Sequence, residues 1–238
     1  MPRKEVIKAQ TRGHANHGWL DTNHSFSFAH YFNPNRMGFG KLRVLNDDHV
    51  IGGKGFGTHG HDNMEIVSIP LSGDLEHKDS MGNTTVIREG DVQIMSAGTG
   101  VRHSEYNHSK TEPVKFLQIW IEPKQRNIEP RYDQKSYPKE ERRNQLLTVV
   151  SPDESDEGAI WINQDAYFNM GQLDSGKSAE YKLRQQGHGI YVFVLHGEVT
   201  IADETLTDRD AISLEGYDSI SIEAGKDSEF LVLEVPMN

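Results

Sequence analysis

Apolar residues recur along this chain in short bursts, and the bursts set its architecture. Ile66 to Leu71 (IVSIPL), Val92 to Met95 and Phe116 to Ile121 (FLQIWI) are too short for buried helices and are bounded by turn residues, so each is predicted as a strand. Pro70 and Gly73 predict the end of the first of these. The segments GDLEH (73–77) and Thr84 to Ile87 flank Met81-Gly82-Asn83, which predicts a hairpin with its turn at Gly82-Asn83. Gly90-Asp91 turns the chain into Val92 to Met95. Upstream, SFSFAHYF (25–32) alternates and reads as a half-buried strand, while LRVLNDDHVIGG (42–53) reads as a strand running into a turn. Residues 1–10 read as a short strand or arm with Val6 and Ile7 as its large apolar positions. Closely spaced strands with turn signals predict an all-β fold, an antiparallel sandwich or barrel of jelly-roll type.

A polar stretch then interrupts the pattern. Residues 123–150 hold Pro123, Pro130, Pro138 and the charged run KEERR (139–143). The expected division is an N-terminal barrel over 1–135, a linker over 136–150 and a C-terminal barrel over 151–238. Gly187-His188-Gly189 and YVFVLHGEVTIADETLTDRDAISL (191–214) echo 57–94 as turn, apolar strand, His-Gly, strand, acidic turn, strand, which suggests an internal repeat. FLVLEV (230–235) reads as a closing strand. No His-x-His follows residue 108, so the second barrel is expected to hold no metal and to act as support by covering an edge of the first.

Composition narrows the function classes. A length of 238 residues accommodates two β-domains of about 110 each. The formal net charge of −11 argues against direct binding to nucleic acid or to an anionic membrane. With no cysteine, disulfides and thiolate metal sites are excluded, and any metal must be held by nitrogen and oxygen. The N-terminus has no apolar secretory core and no stretch has transmembrane length, so a cytoplasmic location is expected.

The chemistry concentrates in two stretches, Gly53 to Glu65 (GKGFGTHGHDNME) and Gly98 to Asn107 (GTGVRHSEYN). Each carries two potential ligands at i and i+2, His59 with His61 and His103 with Glu105. Residues two apart on a strand share a face, so two facing strands would bring three imidazoles and a carboxylate to one point. Twelve histidines in 238 residues would give about 0.6 His-x-His pairs by chance, so the pair alone carries little. The glycines add weight: Gly53, Gly55 and Gly57 precede one pair, Gly98 and Gly100 the other, and glycine serves sharp turns and close backbone approaches. His14, His17, His24 and His30 lack this spacing and read as hydrogen-bonded loop histidines.

These stretches also carry a resemblance. Gly53, His59, His61 and Glu65 match the first cupin motif, and Gly100, His103 and Asn107 match the end of the second. Gly98 in place of the usual proline, and Glu105 two residues after the histidine, resemble the pirin family. So do RGHANHGWLDTNHSFSFAHYFNP, MGFGKLRVLNDD, HKDSMGN and MSAGTGVRHSEYN, which look like the bacterial pirin-like quercetin 2,3-dioxygenases. The resemblance implies two cupin barrels in tandem and His59, His61, His103 and Glu105 as ligands of one metal, with Glu65 outside the ligand set.

Three imidazoles and one carboxylate suit a divalent transition metal. Fe(II) is the first expectation, and Mn, Ni, Co, Cu and Zn are alternatives. Two positions stay open on an octahedral ion, as oxygen chemistry requires, whereas a tetrahedral structural zinc would be closed. The resemblance implies a dioxygenase that opens the heterocyclic ring of a flavonol such as quercetin with dioxygen and releases carbon monoxide, Glu105 serving as ligand and as catalytic base. Phe26, Phe28, Phe39 and Phe56, with Met64 and Met95, are candidates to line an apolar pocket for a flat aromatic substrate. A different enzyme of the cupin class is one alternative. Another is a redox- or metal-sensing regulator of the pirin kind, acting through a protein partner without turnover.

Overall fold

The structure, a computed structural model, describes residues 2–238. Its elements are 22 strands and two 3-10 turns, Ala9–Thr11 and Lys139–Arg142, with no α-helix among the described residues. The strands form two sandwiches, each a seven-stranded sheet facing a four-stranded one.

In the N-terminal sandwich the seven-stranded sheet runs Arg131–Ser136, Asp91–Ser96, Glu65–Ser72, Val114–Ile121, Leu42–Val50, Leu20–His24 and Gly13–Asn16. Its four-stranded partner runs Gly55–His61, Val101–Asn107, Leu75–Asp79 and Thr84–Ile87. The C-terminal sandwich repeats the order. Ala211–Glu215, His188–His196, Ser228–Pro236 and Tyr167–Leu173 lie side by side, and its small sheet runs Ser178–Lys182, Ser219–Ala224, Glu198–Ile201 and Glu204–Thr207. The pairings are antiparallel apart from Val150 and Ser151 beside Ile160 and Trp161 and an isolated bridge of Arg143 to Gln172.

Two segments sit on a different element from the one the sequence suggested. Arg3–Ile7 pairs with Ala211–Glu215, so the first strand of the chain edges the C-terminal sheet. Asp210 fixes it there, accepting from the Ala9 amide and pairing with Lys8 Nζ at 2.9 Å. Gln145–Ser151, which overlaps the end of the expected linker, is a strand of that same sheet.

The two large sheets pack back to back. Leu117, Ile119 and Ile121 join Val67, Ile69, Val92 and Ile94 in a core shared with Phe168, Tyr191, Phe193, Leu231 and Leu233. Phe116 and Gln118, the alternate positions, face the interior of their own sandwich. Both faces of this strand are therefore covered, which is why FLQIWI is nearly continuous in apolar residues. The two interiors differ. The C-terminal one is a single apolar cluster built on Ile190, Val192, Leu214, Ile222 and Val232. The N-terminal one is split into two small clusters, one around Leu75 and Phe116 and one around Ile66 and Met95. Buried polar side chains, Ser68, His77, His103, Glu105 and Gln118 among them, belong to neither cluster.

Some local expectations change. SFSFAHYF is not a strand: Phe28 and Tyr31 form an isolated bridge around a turn with Ala29 at φ 49°. Its alternation is real but serves a loop, with Phe26 turned to Tyr191 in the shared core and Phe28 to Trp120. Pro70 lies inside Glu65–Ser72 rather than at its end, tolerated at a register shift opposite Lys115 and Phe116.

Candidate metal centre

The inner face of the small N-terminal sheet carries the site. Val101, His103, Glu105 and Asn107 are buried while Arg102 and Tyr106 are exposed, the period of two that a strand imposes. Across the ladder His103 sits between His59 and Asp79, and Glu105 between Phe56 and His77. The pairing with Gly55–His61 shifts register between His103 and Glu105. It also needs a glycine. A Cβ at Gly55 would lie 2.2 Å from the Glu105 carbonyl oxygen. Gly98, at φ 48°, has no room either, with Ile128 O 2.1 Å from the Cβ position.

The ligand atoms of His59, His61 and His103 lie within 4.8 Å of one another. His59 Nε2 and His103 Nε2 are 3.1 Å apart. Nitrogens bound at right angles to one ion at about 2.1 Å would be about 3 Å apart, so this pair fits a common cation. His59 Nδ1 donates to Gly57 O at 2.8 Å, which leaves its Nε2 as a bare lone pair. Burial, reinforced by the neighbouring histidines, lowers His61 to about 4 and His103 to about 3, so both rings are neutral at pH 7. Neutral rings with converging lone pairs are a donor set for a divalent transition metal.

Glu105 sits deeper. Its ligand atom groups with those of His103 and His77, again within 4.8 Å, and not with the three-histidine set. Its carboxylate accepts from Ser68 Oγ at 2.9 Å and Gln118 Nε2 at 2.7 Å, and burial raises its pKa to about 7. Glu65 points elsewhere, accepting from Ser96 Oγ at 2.7 Å and from the Asn163 amide of the C-terminal half.

The surroundings are partly as expected. The Trp120 ring stands edge-on to His61, 4.9 Å between centroids, and Phe28 packs against Trp120 at 5.3 Å. Met64 and Met95 belong to the same apolar cluster as Trp120. Phe26 and Phe39 do not line this wall; both contact Tyr191 in the shared core. Phe56 packs with Trp19 and Phe116. A solvent-open hollow of about 500 Å³, lined by Gly60, His61, Asp62, Thr99 and Arg102, reaches His61 from outside. Of the other histidines, His24 is buried on a strand with Nδ1 2.8 Å from Asn46 Oδ1, and His14 is an exposed partner of Asp21.

His77, Asp79, Ser68, Gln118 and Trp120 are the residues that sequence reasoning missed. The first two were within its reach. His77-Lys78-Asp79 has the same i, i+2 spacing as His59 with His61 and His103 with Glu105, without their run of preceding glycines. In the C-terminal small sheet the strand matching Val101–Asn107 turns Ile220 and Ile222 inward, with Tyr181 opposite Ile220. Apolar side chains and a tyrosine fill the place that the histidines occupy in the first sandwich.

Residues 6–121 match the Pirin family model, and residues 148–235 match that of the quercetinase C-terminal cupin domain. The chain is 44% identical over 229 residues to a quercetin 2,3-dioxygenase of Escherichia coli K12, covering 96% of this chain and 97% of that protein. It is 38% identical over 222 residues to a pirin-like protein of Caulobacter vibrioides, covering 93% and 95%. The crystal structure of the bacterial pirin YhhW from Escherichia coli, in complex with nickel(II), superposes with a TM-score of 0.93 at 41% identity, covering 98% of this chain and 99% of that one. With two family models spanning most of its length and a full-length relative at this identity, the chain is a member of the pirin family, built from two cupin-type barrels in tandem.

Proposed function

We propose that this protein is a metal-dependent dioxygenase that opens the heterocyclic ring of a flavonol-like substrate, consuming one dioxygen and releasing one carbon monoxide. The observation that carries the reading is the convergence of three imidazoles beside one buried carboxylate, with a solvent-open hollow reaching one of the three, His61. The names of the full-length relatives supply the substrate class.

His59, His61 and His103 would hold the metal, with Glu105, the next inward residue of the strand, as fourth ligand. When bound, a divalent transition metal supplies Lewis acidity toward a substrate hydroxyl and redox chemistry toward dioxygen. Glu105 takes the hydroxyl proton, and Ser68 and Gln118 hold its carboxylate in place for that transfer. Trp120 and Phe28 offer the apolar wall on which a flat ring lies, next to His61. Fe(II) remains the first candidate; nickel is supported by the metal bound to YhhW.

Glu105→Gln tests the base. It keeps the shape and removes the proton acceptor, so turnover of quercetin is expected to fall by about 100-fold or more, the range general-base removal produces. Metal content should change much less. Unchanged turnover would remove Glu105 from the mechanism.

A further inference from the structure

His77 and Asp79 take no part in the reading above, yet both side chains are buried on the inner face of Leu75–Asp79. Asp79 gathers four donors. Its Oδ1 accepts from the amides of Met81 at 2.9 Å and Asn83 at 3.0 Å, and its Oδ2 from Asn83 Nδ2 at 2.8 Å and His77 Nε2 at 3.1 Å. With two backbone amides and the Asn83 side-chain amide donating to it, the carboxylate serves as an acceptor, so the proton of a neutral His77 ring sits on Nε2. His77 Nδ1 is then a bare lone pair, buried and without a partner.

His103 presents the complement. Its Nε2 faces His59, and its Nδ1 is buried without a partner. The two rings are 5.3 Å apart between centroids, tilted by 50°, and their two bare nitrogens, though neighbours, are not hydrogen-bonded to each other as the rings stand. A neutral histidine can offer Nε2 to a cation only when its proton is on Nδ1, and that proton needs an acceptor in a buried site. His59 meets the same need through the Gly57 carbonyl.

We propose that His77, oriented by Asp79, is a positioning residue that accepts the Nδ1 proton of His103 when a metal is held, and so keeps the His103 Nε2 lone pair turned toward His59 and His61. This rests on His103 being a metal ligand. Without His77, the favoured tautomer of His103 would carry its proton on Nε2 and donate it to His59, closing both nitrogens to a cation.

Zinc, which is diamagnetic, allows the test without turnover. In the zinc-loaded wild-type protein, nitrogen-detected NMR of the histidine rings should find His103 protonated at Nδ1, with that proton bonded to His77 Nδ1, and His77 protonated at Nε2. His77→Phe, which fills the space but accepts nothing, should weaken zinc binding by about 10–100-fold, the usual effect of losing such a partner. His77→Gln, which regains a carbonyl acceptor, should recover most of it. A proton on His77 Nδ1, a bond from His77 to Glu105 in place of His103, a second zinc held by His77, or wild-type zinc affinity in His77→Phe would each overturn the proposal. Should His77→Phe fail to fold, the wild-type spectrum decides. Zinc uptake with the wrong tautomer refutes the positioning role alone, whereas no zinc uptake by the wild type refutes the ligand reading and this role with it.

Discussion

The N-terminal barrel gives up apolar packing for chemistry, and the residues involved carry the consequences. Glu105 and Asp48 are both buried carboxyls raised to about 7, by burial first. At Asp48 the folded protein holds a proton that the unfolded chain releases near pH 4, so stability falls as pH rises from about 4 through 7. Asp48→Asn should flatten part of that fall, raising stability by about 1–3 kcal/mol at about pH 8 and changing it little at about pH 4. Urea denaturation at both pH values measures this, and an unchanged slope would show that Asp48 is not protonated in the fold. His59, His61, His103 and Glu105 could be singled out in the sequence because their spacing and flanking glycines are local signals. Ser68 and Gln118 could not, since each is one small or amide residue on a strand of the opposite sheet, meeting Glu105 only through the fold.

At the scale of elements, the site depends on how closely Gly55–His61 lies against Val101–Asn107. Gly55→Ala puts a carbon 2.2 Å from the Glu105 carbonyl oxygen, and backbone cannot yield as a flexible side chain would. The strand bearing His59 and His61 must then shift away from the strand bearing His103. We expect metal affinity to fall about tenfold or more although no ligand is changed, as outer contacts of metal sites typically show. Titration with a divalent metal reads this directly, and wild-type affinity would contradict it. Strands with continuous or turn-bounded apolar runs were legible in advance. The loop at 25–32 was not, because Phe26 and Phe28 alternate as in a strand while serving two different contacts, Tyr191 and Trp120.

At the scale of the whole molecule, the chain's first strand belongs to the C-terminal half. Arg3–Ile7 closes an edge of the C-terminal sheet, and Gly13–Asn16 then begins the N-terminal one. Nothing in residues 1–10 encodes that choice locally; it depends on Asp210, some 200 residues away, whose carboxylate takes the Ala9 amide and Lys8. Burial opposes the charge of Asp210, but bonds from Thr207, Ala9 and Lys8 lower its pKa overall. Its contribution is therefore full above about pH 4 and lost as pH falls through the lower folded value. Asp210→Asn should cost about 1–2 kcal/mol near neutral pH, with the difference shrinking in acid. An equal cost at both ends of the range would contradict an electrostatic role for the contact. The internal repeat, by contrast, was visible as an echo of turns and strands, and the strand order of the two halves has the same plan.

The most direct measurement is anaerobic reconstitution with ferrous iron, and in parallel with nickel and other divalent ions, followed by oxygen uptake and carbon monoxide release on adding quercetin. Uptake and release are expected in equal amounts, dependent on metal, and lost together with bound metal in His61→Ala. A protein that binds metal tightly yet consumes no oxygen with any ion would contradict it, and would point instead to a sensor that acts through a protein partner.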